Sequence, residues 1–176
     1  AILNKIKQLS SPQTTLCLSK TVGFISSFLL SEKLLGTFNI EELKTIFTTT
    51  IYSLKHLYEL QHNESRLGLY TLLSCCSDLR LESIYTPLEK ILLPIMENDL
   101  QSSIPVVIAS VFTTAEGILP ISTEKLFGKF IEKTLLMFPS SWNLFNDNYE
   151  SGSFVINSQL SFYICLLTYQ SSKYAD

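Results

Sequence analysis

The chain has 176 residues, a length that fits one domain able to bury a substantial core. Its net charge is −3 and its thirteen basic residues are scattered, with Arg66 and Arg80 the only arginines; this argues against nucleic-acid binding, which needs clustered cations. Hydrophobic residues reach 46% and charged residues only 16%, yet no apolar run approaches the ~18 residues of a membrane span.

Elements follow in chain order. "AILNKIKQL" already carries helical periodicity at the first residue, and with the sparse charge it suggests a piece of a longer protein. Ser11-Pro12 opens a helix through Leu30. The clearest helix runs from Ile40 to His62, where Ile40, Leu43, Ile46, Phe47, Ile51, Leu54, Leu57 and Tyr58 step by three and four along one apolar stripe. Asn39 can cap it, with Glu42 in the capping-box position. His56 falls on the face opposite the stripe.

A helix over Glu64–Ser77 follows, then one capped by Thr86 with Pro87 at its first turn and Pro94 as a kink site. "SSIPVVIASVFTTAEG" predicts the next, with Gly117 as its C-cap. "STEKLFGKFIEKTLLMF" should stop at Pro139, and a last helix spans Phe154–Gln170. Between them, residues 139–153 read as a long loop carrying Trp142, Phe145 and Tyr149. Long connections are often functional, and Trp and Tyr are enriched at interface hot spots; the alternative is that these rings tuck back over the core. No stretch pairs as a hairpin. The expectation is a single all-helical domain over 1–176, with eight helices in four antiparallel pairs.

Chemistry is sought first at the adjacent Cys75 and Cys76, two of four cysteines. Neighbours on a helix point ~100° apart, and with Cys17 and Cys165 they give no CxxC or Cys-His spacing. They read as buried packing residues, and free thiols favour a reducing compartment, cytoplasm or nucleus. His56 and His62 lie six apart, not the i, i+4 of a helical metal pair. No nucleophile elbow, dinucleotide fingerprint or phosphate loop is present. The reading is of a non-enzyme without catalytic residues, cofactor or metal.

"PIMENDLQSSIPVVIASVF", Pro94 to Phe112, resembles a HEAT repeat: a proline in the first helix, Asp99 near the turn, Ile104 at the usual valine position, and Ile108 and Ala109 at the small-residue pair. Pro105 stands where arginine is usual; thirty-nine residues earlier, "NESRLGLYTLL" places Arg66 at that position, with Ser65 replacing the valine. The resemblance to HEAT/ARM-type helical repeats covers about residues 40–115. It implies an all-α fold of helix pairs stacked as a short solenoid, because one pair cannot bury its apolar face alone. A compact irregular helical bundle is the alternative.

The function implied is a protein–protein interaction scaffold, one segment of a larger subunit binding other protein subunits. The alternative is a helical domain holding a lipid or other apolar ligand in its core. If the second helix of each pair lines the concave side, Arg66, Tyr70, Gln101 and Ser110 are contact candidates, beside Trp142, Phe145 and Tyr149. Self-association through exposed end helices is also expected, from Ile2, Leu3, Ile6 and Leu9 at one end and Ile156, Leu160, Tyr163 and Leu167 at the other.

Overall fold

A computed structural model describes residues 2–6, 8, 11–31, 37–74, 85–119 and 124–173. Among them the chain is all-helical, without strands. Helix α1 is Ile2–Ile6, α2 Pro12–Ser31 and α3 Ile40–Glu59. Helix α4 opens as a 3-10 turn, Glu64–Arg66, and continues as Leu67–Leu73. Helix α5 occupies 85–99, α6 is Pro105–Ile118, α7 Glu124–Asp147 and α8 Tyr149–Lys173. None of these is long and apolar enough to cross a membrane.

Helix α3 forms as its sequence dictates. Asn39 Oδ1 accepts from the Glu42 N–H at 2.9 Å, and the Asn39 N–H donates to Glu42 Oε2 at 3.0 Å. Two orphan donors of the first turn are thereby satisfied. Leu43, Phe47, Ile51, Leu54 and Leu57 are all buried, while Ile40 is exposed and His56 half-buried. The helix ends at Glu59, earlier than expected, because Gln61 turns into the left-handed region at φ 57°. The His62 N–H then closes onto the Leu57 carbonyl at 2.9 Å.

Pro94 produces no break. The turn before it, Leu88–Leu92, widens to a π-helix within 85–99. Proline lacks the donor that a regular α-turn needs at that point, and a π-bulge accommodates such a gap. Gly117 is not a C-cap: it lies inside α6, where an added Cβ would meet the Ser74 carbonyl oxygen at 2.2 Å. It is there for close helix approach.

The largest departure is at residues 139–153, which form no loop. Helix α7 runs through Pro139, and only Asn148 separates it from α8. Asn148 ends one helix and begins the next: its N–H donates to the Leu144 carbonyl at 2.9 Å, and its Oδ1 accepts from the Ser151 N–H at 3.1 Å. Gly152 makes the reversal possible, since a Cβ there would meet Phe145 Cα at 2.3 Å.

The helices pack in alternation. Helix α2 packs on α4, α4 on α6 and α6 on α8, while α1 packs on α3, α3 on α5 and α5 on α7. Successive members α1 and α2, α3 and α4, α5 and α6, and α7 and α8 also touch. One hydrophobic core threads all of this, from Ile6 through Leu54, Leu69 and Phe112 to Phe162. Phe162 is central at the α8 end, 5.9 Å from Phe112 and 6.0 Å edge-on from Phe130 between ring centroids. Such tilted and edge-to-face pairs suit the ring quadrupole.

The end-helix expectation changes accordingly. Ile6 is fully buried and Ile2 and Leu3 are half-buried, so α1 presents no open stripe of these residues; Leu9 lies outside the described residues. At the other end Ile156 is buried and Tyr163 half-buried, whereas Leu160, Ile164 and Leu167 are exposed. The Cys75–Cys76 pair and Arg80 lie outside the described residues. Cys17 is exposed and Cys165 half-buried, both as free thiols.

Candidate functional site

The site is built around an arginine in an apolar setting. Helix α4 is otherwise "LGLYTLL", five of whose residues are buried, and Arg66 enters it from the preceding turn at 2% exposure. A buried guanidinium must be paired, because leaving it alone costs several kcal/mol, on the order of 3–5. The partner is Asp99, also 2% exposed, at the end of α5. Arg66 Nε donates to Asp99 Oδ2 at 3.0 Å and Nη2 to Oδ1 at 2.5 Å, a two-toothed pair joining α4 to α5.

Two tyrosines complete the arrangement. Tyr70, one turn beyond Arg66 and fully buried, donates its hydroxyl to Asp99 Oδ2 at 2.7 Å. Burial, reinforced by the Asp99 charge, pushes its phenol well above the usual value. Tyr58, near the end of α3, lays its ring under the guanidinium, 5.2 Å from centroid to Cζ, a cation–π contact. Asp99 and Tyr58 thus occupy the Nε–Nη2 edge and one face of the guanidinium. Arg66 Nη1 remains buried without a hydrogen-bond partner, an unmet demand worth about 1–3 kcal/mol or more for a charged group.

This ion pair belongs to the lining of a cleft of about 510 Å³, within the range of ligand sites. Tyr58, Glu59, Gln61 and Asn63 contribute from the α3–α4 turn, and Asn98, Gln101, Ser102 and Ser103 from the α5–α6 turn. Its lining is mainly amides and hydroxyls. Arg66 and Asp99 cancel, and Glu59 has Lys55 at 3.6 Å, so the cleft carries little net charge.

The sequence-predicted contact residues fall into three groups. Arg66 and Gln101 line the cleft together. Tyr70 reaches it through Asp99, but with Ser110 it also lines a smaller cavity of about 150 Å³ beside Thr71, Ser74 and Thr113. Trp142, Phe145 and Tyr149 form an aromatic ladder where α7 meets α8, with successive centroids 5.6 and 5.3 Å apart. Trp142 and Phe145, three residues apart on α7, are helix neighbours, and Tyr149 stands at the first position of α8. Trp142 and Tyr149 are exposed and Phe145 half-buried.

Asp99 and Tyr58 were not singled out as site residues from sequence. A signal for Asp99 exists: Arg66 interrupts an apolar helix, and a buried cation demands an anion. Tyr58 gives no such signal, since its position matches the rest of the α3 stripe. No group of His, Cys, Asp or Glu among the described residues has the geometry to hold a metal. Compared with family models, curated proteins and solved structures, the chain matches none.

Proposed function

We propose that the chain is a protein–protein interaction scaffold: helix pairs stacked in the HEAT/ARM manner, acting as one segment of a larger subunit in a multiprotein assembly. The alternating packing of α1–α8 supports this reading, as does a core shared along the whole run of helices.

The observation that carries it is the open row on α8. Leu160, Ile164 and Leu167 are exposed at 43%, 66% and 66%, and their spacing places them on one helix face. No charged residue stands between Glu150 and Lys173 to solvate that face. An end of a stacked array needs a polar outer surface for solubility. The row therefore calls for cover, supplied in this reading by another helix pair or a protein partner.

The test places a photo-crosslinking residue at position 164 and compares the otherwise unchanged chain with Leu160→Lys and Leu167→Lys made in the same background. The expected result is a specific protein adduct, a second copy included, that both substitutions abolish without lowering the unfolding midpoint. A chain that stays monomeric and gives no adduct would overturn the scaffold reading. A lipid retained in native mass spectrometry would instead support the apolar-ligand alternative.

A further inference from the structure

We infer that the open face of α8 is a dimer seam, on which two copies of this chain pair α8 against α8, in parallel, across a two-fold axis. This rests on the reading of that row as a contact surface and names its occupant. Asn157, Leu160, Ile164 and Leu167 are all exposed. They recur at steps of three, four and three, the a-d-a-d spacing of a heptad. In the same frame Val155, Gln159 and Phe162 fall on the opposite side, and all three are fully buried in the chain's own core. The helix therefore has two faces, one packed and one open.

The residue types select a second copy. Ile164 at an a position, with Leu160 and Leu167 at d, is the combination that favours two parallel strands. In that arrangement like positions meet across the axis, so Asn157 faces the partner's Asn157. A side-chain amide carries a donor and an acceptor together, and two of them related by a two-fold axis satisfy each other. Covered by an apolar groove instead, the amide would be buried unpaired, at a cost. Charge points the same way. Unlike helices are sorted by charges at e and g, and α8 carries none between Glu150 and Lys173. Glu116 of α6 reaches this flank but accepts a hydrogen bond from Ser161. The seam is short, yet α8 is already ordered by packing on α6 and α7, so pairing bears no cost of helix nucleation. Four layers of side chains bury an area at or below the low end of specific interfaces, about 1,200 Å². The dimer should accordingly form in the micromolar range and exchange with monomer.

The experiment is sedimentation velocity of the full chain from low to high micromolar concentration, followed by cysteine crosslinking. The expected result is a monomer–dimer equilibrium that Ile164→Lys and Leu167→Lys each weaken by about a hundredfold or more, since each buries a charge in the seam. Circular dichroism should show both variants folded with unchanged midpoints. With diamide as oxidant, Asn157→Cys should give a disulfide-linked dimer above the parent baseline, while Ser158→Cys, half-buried beside the core, should not. A chain that stays monomeric throughout would overturn the inference, and a crosslink from position 164 to a different protein would then leave the scaffold reading standing. A dimer that survives both lysine substitutions would place the interface elsewhere, and one in which Asn157→Cys fails to crosslink would overturn the parallel register.

Discussion

Gly68 and Ser19 bring helices α2 and α4 into backbone contact: a β-carbon on residue 68 would sit 1.7 Å from the Ser19 carbonyl oxygen. Gly23, one turn further along α2, faces the same place, since its own Cβ would meet Gly68 Cα at 3.0 Å. Gly68→Ala therefore forces the two helices apart along one of the most extensive contacts of the fold. Overpacking of this kind costs about 1–3 kcal/mol, and more where backbone has to move. Gly128 is the control, because nothing lies within 4 Å of a Cβ added there in α7. Gly128→Ala should raise stability by up to about 1 kcal/mol through helix propensity. Urea unfolding of the two variants checks both signs.

The Arg66–Asp99 pair makes a second prediction. Removing one member, as in Asp99→Leu, strands a buried guanidinium and should cost about 3–5 kcal/mol. The double change Arg66→Met with Asp99→Leu removes both charges and should recover a large part of that loss. A double-mutant cycle read by denaturant unfolding gives the coupling; equal damage in the single and double variants would show that packing, not charge, is what Asp99→Leu disturbs.

Stability should depend on Tyr70 at alkaline pH. Its phenol is raised by burial and by the Asp99 charge, while an unfolded tyrosine ionises near pH ~10. The stability held in that proton is whole below pH ~10 and is lost as pH rises through the folded value. The unfolding free energy should thus fall more steeply above pH ~10 in the parent chain than in Tyr70→Phe, even though the variant starts lower for want of the hydroxyl bond to Asp99. Parallel slopes would contradict the assignment.

Glu116 offers a test of the same kind on the acid side. Burial raises its carboxyl, and a hydrogen bond to Ser161 partly opposes that. A raised folded value means the native state favours the protonated acid, so this contribution is present below about pH 4.3 and lost as pH rises. Glu116→Gln should stabilise the chain at pH 7, and the advantage should vanish below about pH 4.3. Thermal melts at the two pH values decide it.

The α3 stripe provides the simplest check of the fold. Leu54 is fully buried, so Leu54→Asp places an unpaired charge in the core and should unfold the domain at a cost of several kcal/mol, on the order of a large fraction of its stability. Lys55→Gln, its neighbour, gives up only an exposed contact to Glu59. That change should cost no more than about 0.5 kcal/mol. Circular dichroism separates the two.

What the sequence determined by itself is local. The capping box at Asn39 and the stripe from Leu43 to Leu57 follow from periodicity and hydrogen-bonding capacity, both properties of residues a few positions apart. The all-helical class follows from the same signals repeated along the chain. The tertiary structure decided wherever a local signal had two uses. Gly117 reads as a terminator, yet there, as at Gly152, another backbone comes too close for a β-carbon. Pro139 reads as a stop, yet α7 continues through it because Asn148 and Gly152 allow α8 to fold back and bury Val155, Ile156 and Phe162. The cleft is the clearest case. Arg66 and Asp99 are thirty-three residues apart, and no short-range pattern links them; only the packing of α4 on its neighbours removes the water that would otherwise have kept each charge satisfied on its own.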